Sequence, residues 1–324
     1  MPTPNAAAST PAPHPGARLR ALMDAGCVAT PGAFNGLVAR AVADAGFDAC
    51  YVSGGAISAA SGVPDIGLLG LEHFCQIIRQ VASSSGLPVI SDADTGFGEG
   101  EMTARAVWDY AAAGAAGFHI EDQVFPKRCG HLDGKSLVSV EHFQEKVAMA
   151  AQARDACSGG AFLVCARTDA RGVEGFDRAV ERAKAYVDAG ADMLFPEGLA
   201  SEEEFGRFAD AVRGHGAGRG PYLLANMTEF GKTPMLPLGR FADLGYHCVI
   251  YPVTTLRLAM HAVTESLRTL KAEDSAATLL DRMQTRKELY ALLRYTPGEA
   301  WAFPSPAAEH PTSITPAAGA TTPR

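Results

Sequence analysis

Apolar and polar positions along the chain alternate between two periods. Stretches with apolar residues spaced as on one face of a helix, at 38–46, 104–114 and 179–190, each close on Ala-Gly. Each then leads into a short apolar run: Ala49-Cys50-Tyr51-Val52, Gly117-Phe118-His119-Ile120 and Met193-Leu194-Phe195. A fourth copy passes through Leu244-Gly245 into Cys248-Val249-Ile250-Tyr251. Glycine at a helix exit supplies the left-handed residue that ends the helix. The short runs read as strands buried on both faces, as parallel strands are. Further strands are expected at 28–30, 88–91, 162–166 and 222–225, giving eight βα units in roughly 250 residues, the count and size of a (β/α)8 barrel in the α/β class. The alternative is an open doubly wound sheet, but no Gly-x-Gly-x-x-Gly follows the first strand. Helical patterns at 256–271 and 277–295 exceed what a bare barrel requires. Residues 1–16 and 303–324 consist mainly of Pro, Ala, Ser and Thr. They have too little apolar surface to offset the entropy of ordering, so both are expected to be disordered tails around a single domain at 17–302.

Composition narrows the function classes. The 324 residues are 47% hydrophobic, enough to build a large core, and carry a net charge of -8. That balance, without a basic cluster interleaved with aromatics, argues against a nucleic-acid partner. No apolar run approaches the ~18 residues of a membrane span, and the N-terminus lacks the plan of a secretory signal, so a soluble protein is expected. Seven scattered cysteines with no Cys-x-x-Cys pair indicate neither a disulfide framework nor structural zinc, and suit a reducing cytoplasm.

A barrel directs attention to the C-terminal ends of its strands. Polar residues collect there: Ser53-Gly54-Gly55 after the second strand, Asp92 and Asp94 after the third, Glu121 and Asp122 after the fourth. Arg167-Thr168-Asp169 follow the fifth, Glu197 the sixth, and Asn226 and Thr228 the seventh. In an extended chain the period of two points Asp92 and Asp94 to one side. Two close carboxylates need a cation, and with no imidazole pair or extra thiols nearby the indicated ion is hard: Mg²⁺, with Mn²⁺ as substitute. Glu121 is expected to join through a water. The unshielded amides of Ser53, Gly54 and Gly55 suit a carboxylate. Arg167 offers a planar fork to a carboxylate or an oxyanion. Cys129 lies in Lys127-Arg128-Cys129-Gly130-His131, a charged segment behind Pro126 with no apolar face to bury. Its cationic neighbours favour the thiolate, marking it as a reactive thiol.

Lys-Arg-Cys-Gly-His shortly after Glu121-Asp122 resembles the signature of the isocitrate lyase and phosphoenolpyruvate mutase superfamily. The likeness extends over nearly all of residues 18–295, through Ser53-Gly54-Gly55, Asp92-Ala93-Asp94, Arg167-Thr168-Asp169, Pro196-Glu197 and Asn226-Met227-Thr228. It implies a Mg²⁺-dependent cleavage of a 2-hydroxy tricarboxylate, 2-methylisocitrate to pyruvate and succinate, a step of propionate catabolism in the methylcitrate cycle. In that scheme Cys129 is the general acid, and Arg167 with the 53–55 amides steadies the oxyanion. Glu197, Asn226 and Thr228 bind the succinyl end or relay the hydroxyl proton, and Gly130 and Met227 line the substrate. Arg257 and Arg286 are placed at the substrate by the resemblance alone; by pattern they are surface helix residues. Phe195 and Ile250 resemble the apolar positions that admit the extra methyl, where isocitrate lyases tend to carry tryptophan and threonine. The resemblance also implies that the C-terminal helices pack against a neighbouring subunit, in a homo-oligomer expected to be a tetramer. Other members remain alternatives: an isocitrate lyase, an oxaloacetate hydrolase or decarboxylase, or a phosphonopyruvate enzyme. The mutase and decarboxylase branches generally lack Lys-Arg-Cys-Gly-His. A non-catalytic dicarboxylate-binding protein would be expected to have lost the aspartate pair or the thiol, and this chain keeps both.

Overall fold

A computed structural model describes residues 13–128, 134–216, 218, 220–231 and 233–301. Eight parallel strands form a nearly closed barrel: β1 (Val28–Pro31), β2 (Cys50–Val52), β3 (Val89–Asp92), β4 (Gly117–Glu121), β5 (Leu163–Thr168), β6 (Met193–Pro196), β7 (Tyr222–Asn226) and β8 (Cys248–Tyr251). Pairing runs in the order β1-β8-β7-β6-β5-β4-β3-β2. The seam between β1 and β2 is narrowed by a bridge from Gly32 to Tyr51 and by the Ala33 N–H donating to Tyr51 O at 2.8 Å. Around the strands lie α1 (Pro15–Ala25), α2 (Gly36–Asp44), α3 (Gly54–Ala60), α4 (Leu71–Ser85), α5 (Gly100–Ala113) and α6 (Val140–Ser158). They are followed by α7 (Ala170–Val173), α8 (Phe176–Asp188), α9 (Glu202–Val212), α10 (Leu238–Asp243), α11 (Thr254–Glu273) and α12 (Arg286–Leu293). The barrel and all eight strands match the pattern expected from the sequence, and Gly46, Gly114, Gly190 and Gly245 leave their helices with φ of 84°, 96°, 109° and 85°.

Strand parity sorts the core into two layers. Val28, Tyr51, Ile90, Leu163, Cys165, Met193, Phe195, Leu224, Cys248 and Ile250 point inward and fill the barrel. Their neighbours, among them Val52, Val89, Phe118, Ile120, Val164, Leu194 and Val249, point outward under the helices.

Three elements differ from expectation. α1 begins at Pro15, inside the segment read as a tail; proline is well placed at N1, where its missing N–H costs nothing. Leu19 and Met23 of α1 are buried against the inward side chains and plug the N-terminal end of the barrel. The Arg20 guanidinium donates to the carbonyls of Gly160, Ala161 and Phe162. Ser53-Gly54-Gly55, read as a run of unshielded amides, is the start of a helix: Ser53 caps α3, accepting the Ala56 N–H, and the two glycines lie in its first turn. The helix expected at 277–295 is broken into a 3-10 segment (Ala277–Arg282) and α12, because Thr285 and Glu288 form a capping box that starts a new helix. No described helix is long and apolar enough to cross a membrane, and the six cysteines among the described residues are free thiols.

Candidate active site

Inward parity continues past the strand ends and decides which candidates face the barrel mouth. Following Tyr51, Ile90, His119, Cys165, Phe195 and Leu224 by steps of two gives Ser53, Asp92, Glu121, Arg167, Glu197 and Asn226. Asp122 and Met227 fall on the other parity. Asp122 is fully buried and accepts from Thr168 Oγ1 (2.7 Å), the Asp169 N–H (2.9 Å) and the Tyr186 hydroxyl (2.8 Å). It fastens β4 to β5 and α8 rather than facing substrate. The Met227 side chain lies in the outer core, where its sulfur accepts the Leu236 N–H. That geometry places it behind the wall of the mouth, not on the substrate side as the resemblance implies.

Asp92 and Asp94 do come together, although not by strand period. Asp94 has φ 46° and its N–H donates to Asp92 Oδ1 at 2.9 Å, so a turn folds one carboxylate back over the other. Both crowd against α3: the Gly54 N–H donates to Asp92 Oδ2 at 3.1 Å. A Cβ on Gly54 would lie 2.7 Å from Asp92 Oδ2 and 3.2 Å from Asp94 Oδ1. Lys127 Nζ sits 2.9 Å from Asp94 Oδ1 and is also bonded to Asp65 Oδ1. The cation thus serves the carboxylates rather than standing free beside the thiol. Burial opposes its charge, but Glu121, Asp92, Asp94 and Asp65 outweigh burial and hold it protonated. Burial and the neighbouring Asp92 push Asp94 up to about 6, whereas Asp92, equally buried, is held below the usual range by the positive groups around it.

Arg167 is engaged on every side. Its Nε and Nη2 donate to the two oxygens of Asp169 at 2.9 and 3.2 Å, Nη1 lies 3.1 Å from Glu121 Oε2, and Nη2 is 3.8 Å from Glu197 Oε2. The guanidinium also lies over the Phe195 ring, 5.1 Å from its centroid. The fork expected to be free for substrate is therefore the hub of a buried ion network. Glu197 in turn accepts from Asn226 Nδ2 at 3.1 Å. Glu121 Oε1 is buried with no hydrogen-bond partner among the described residues, and burial pushes this carboxyl well above its ordinary range. An orphaned carboxylate oxygen beside Asp92 and Asp94 fits a bound hard cation, directly or through its water. Among the described residues no three His, Cys, Asp or Glu side chains form an all-protein metal cage.

Beneath the pair, His119 is fully buried, with Nε2 2.7 Å from the Tyr51 hydroxyl and Nδ1 3.7 Å from Asp92 Oδ1. Burial lowers its pKa to about 4, so the ring is neutral at pH 7. In the unfolded chain it titrates near 6.5. Between pH 6.5 and 4 the unfolded state therefore binds more protons, and stability falls as pH falls. The shift corresponds to about 3 kcal/mol. Denaturant unfolding of wild type and His119→Gln should show the wild-type advantage shrinking by about that amount from pH 6.5 to 4. A pH-independent difference would mean that His119 is not held neutral by the fold.

Cys129, Gly130 and His131 lie outside the described residues, but both stems of their loop are fixed. The Gln123 side chain grips Arg128, accepting its N–H at 2.9 Å and donating to its carbonyl at 2.8 Å. On the far side Val124 N–H donates to Ser136 O, Val138 N–H to Asp122 O, and Lys135 Nζ reaches Asp169 Oδ1 at 2.7 Å. The loop's two ends are thus tied to the carboxylate pair through Lys127 and to the Arg167 network through Lys135. Thr228 is buried beside Asn226. Arg257 opens α11, half-exposed, 3.5 Å from Glu229 Oε2 and over the ring of Phe230. Arg286 is exposed at the start of α12, which packs on α2.

Tyr51, Asp65, His119, Gln123 and Lys135 are site residues that the sequence reading missed. For Tyr51 and His119 a signal existed: each stands two before a residue already chosen, Ser53 and Glu121. Asp65, Gln123 and Lys135 sit in loops where no periodicity points.

Comparison with known proteins is consistent with this geometry. The model of the family described as phosphoenolpyruvate phosphomutase matches residues 19–271. The chain is 46% identical to the 2-methylisocitrate lyase of Aeropyrum pernix over 88% of its own length and 89% of that protein. Among solved structures, a 2,3-dimethylmalate lyase described as a PEP mutase/isocitrate lyase superfamily member superposes with a TM-score of 0.80 at 35% identity, covering 87% of this chain and 92% of the other. A phosphonopyruvate hydrolase in complex with oxalate and Mg²⁺ gives a TM-score of 0.75 at 31% identity, over 86% and 94%. With the family model spanning most of the chain and relatives this similar over nearly their whole length, the chain belongs to the phosphoenolpyruvate mutase and isocitrate lyase superfamily and is an enzyme.

Proposed function

We propose that the protein cleaves 2-methylisocitrate to pyruvate and succinate, with Mg²⁺ held by Asp92 and Asp94 and with Cys129 as general acid. The observation that carries the reading is a barrel mouth where a carboxylate pair, a buried arginine hub and the stems of the Lys-Arg-Cys-Gly-His loop share one end. The similarity to a 2-methylisocitrate lyase supports the substrate. A phosphonopyruvate hydrolase of the same fold whose structure holds Mg²⁺ supports the metal. When bound, the ion would lower the pKa of the substrate hydroxyl and steady the forming carbonyl.

The chain's own residues account for the remaining steps. As the hydroxyl proton leaves, the C2–C3 bond breaks and its electron pair stays on the succinyl carbon. The Cys129 thiol donates a proton there and becomes a thiolate. Arg167 balances charge on the oxygen and carboxylates around it. Glu197, Asn226 and Thr228 bind the succinyl end or relay the hydroxyl proton. The exposed apolar side chains of α11 support a homo-oligomer, proposed to be a tetramer: none of its 20 residues is buried, and Leu258, Val263, Leu267 and Leu270 are exposed on it. The free thiols suit a cytoplasmic enzyme.

Substrate choice tests the pocket. Phe195 and Ile250 are both buried inside the barrel; the Phe195 ring meets His119 edge-on at 5.2 Å and carries Arg167 on its face. Discrimination of a single methyl by such contacts is worth about 1 to 3 kcal/mol, so residual isocitrate cleavage should be detectable. Phe195→Trp should overfill the floor under Arg167 and depress kcat/KM for methylisocitrate far more than for isocitrate. Equal loss on both would reduce Phe195 to packing. A panel adding oxaloacetate, phosphonopyruvate and 2,3-dimethylmalate separates the other branches of the superfamily.

A further inference from the structure

The segment that presents Asp94 has an unusual backbone. Asp94, Gly96, Phe97 and Gly98 have φ of 46°, 91°, 61° and 157°, so four of five successive residues occupy the left-handed region. For side chains as large as Phe97 such a conformation persists only where the surroundings over-determine it. On its apolar side the Phe97 ring packs against Phe74 and Tyr110, with centroids 5.2 and 6.2 Å away. The turn itself is closed by the Gly96 N–H donating to Ala93 O at 2.8 Å, and Asp94 O accepts the Glu121 N–H at 3.0 Å.

Its polar side is held by α6. His142 and Lys146 stand one helical turn apart and so share a face. His142 Nε2 lies 2.6 Å from Glu99 Oε2, and Lys146 Nζ donates to Thr95 O, the carbonyl directly after Asp94. Lys146 is only 7% exposed, and no carboxylate lies within ion-pair distance of it among the described residues. Its charge is opposed by burial and supported from a distance only by Glu99, and burial outweighs that carboxylate and lowers its pKa. A surface lysine would satisfy α6 equally well, so the buried contact points to a carbonyl whose position matters.

We propose that Lys146, with the His142–Glu99 pair as a second point of attachment, is a positioning residue that pins Thr95 and thereby holds Asp94 against Asp92 for the metal. This rests on the reading of Asp92 and Asp94 as the Mg²⁺ ligands. Groups behind metal ligands typically govern affinity by 10 to 100-fold.

The test uses Mn²⁺ alone as the probe, with free Mn²⁺ followed by electron paramagnetic resonance, alongside thermal unfolding of the same samples. Lys146→Met keeps the apolar stem and removes the donor; Lys146→Arg keeps a donor. Lys146→Met should bind Mn²⁺ about tenfold more weakly or worse. Lys146→Arg should recover most of that loss. Unaltered Mn²⁺ affinity in Lys146→Met, or equal loss in Lys146→Arg, would overturn the proposal. If Lys146→Met does not fold, Glu99→Gln at the exposed attachment decides: weaker Mn²⁺ binding supports the brace and unchanged binding overturns it. Asp94→Asn is the control for the underlying reading. If it binds Mn²⁺ as wild type does, the metal assignment falls, whereas loss in Asp94→Asn with no loss in Lys146→Met removes the brace alone.

Discussion

Gly54→Ala is expected to leave the barrel folded and to remove most of its activity. The new methyl would fall 2.7 Å from Asp92 Oδ2 and 3.1 Å from its Cγ, inside any normal contact distance. The atoms it meets belong to side chains, so the structure can yield locally by turning Asp92 and Asp94 aside, and φ at this position is no obstacle to alanine. Stability should therefore change little, and alanine in the first turn of α3 even favours the helix. The chemistry has no such freedom: displacing a positioned group by about 1 Å can cost 10²-fold. We expect kcat/KM to fall by at least that factor with the thermal midpoint within a few degrees of wild type. Loss of fold with loss of activity would show that the methyl strains the backbone instead, and wild-type turnover would show that the pair does not need its present position.

The second large effect is expected at Cys129. Serine is nearly the same size, but its hydroxyl is a far weaker acid than a thiol. A positioned general acid contributes typically 10² to 10⁴-fold. Cys129→Ser should thus lose most of kcat with little change in KM, the pattern of an interaction made mainly in the transition state. Single-turnover kinetics with saturating substrate separate this from slow product release. Retention of more than about a tenth of wild-type kcat would take the thiol out of the mechanism.

The architecture was legible because two periods ran through the chain without interruption. Helical stretches, three of them ending in Ala-Gly, alternate with short runs apolar on both faces, and eight such runs admit a barrel. The same parity, carried two residues past each strand, would have separated Asp122 and Met227 from the mouth and added Tyr51 and His119 to it. What parity cannot reach is geometry made by turns. Asp92 and Asp94 were paired for the wrong reason, since Asp94 is left-handed and not extended. The helix start at Ser53-Gly54-Gly55 is hidden because glycines are poor helix formers, yet Ser53 is a good cap and Gly54 is needed where the carboxylates press in. Side-chain partners across the fold were also invisible: nothing near Lys127 in sequence announces Asp65, and nothing near Arg167 announces that Glu121 already holds it. α1 was missed because its proline and the low-complexity residues before it look like a tail, although a proline at N1 is a helix start.

The central claim is a magnesium-dependent carbon–carbon cleavage of one tricarboxylate. The most direct measurement is product analysis by proton nuclear magnetic resonance after mixing the purified protein with 2-methylisocitrate and Mg²⁺, run in parallel with excess chelator. Equimolar pyruvate and succinate with Mg²⁺, none in chelator, and recovery on adding Mg²⁺ or Mn²⁺ is the predicted result. Unchanged 2-methylisocitrate alongside turnover of oxaloacetate, phosphonopyruvate or 2,3-dimethylmalate, or full cleavage in chelator, would contradict it.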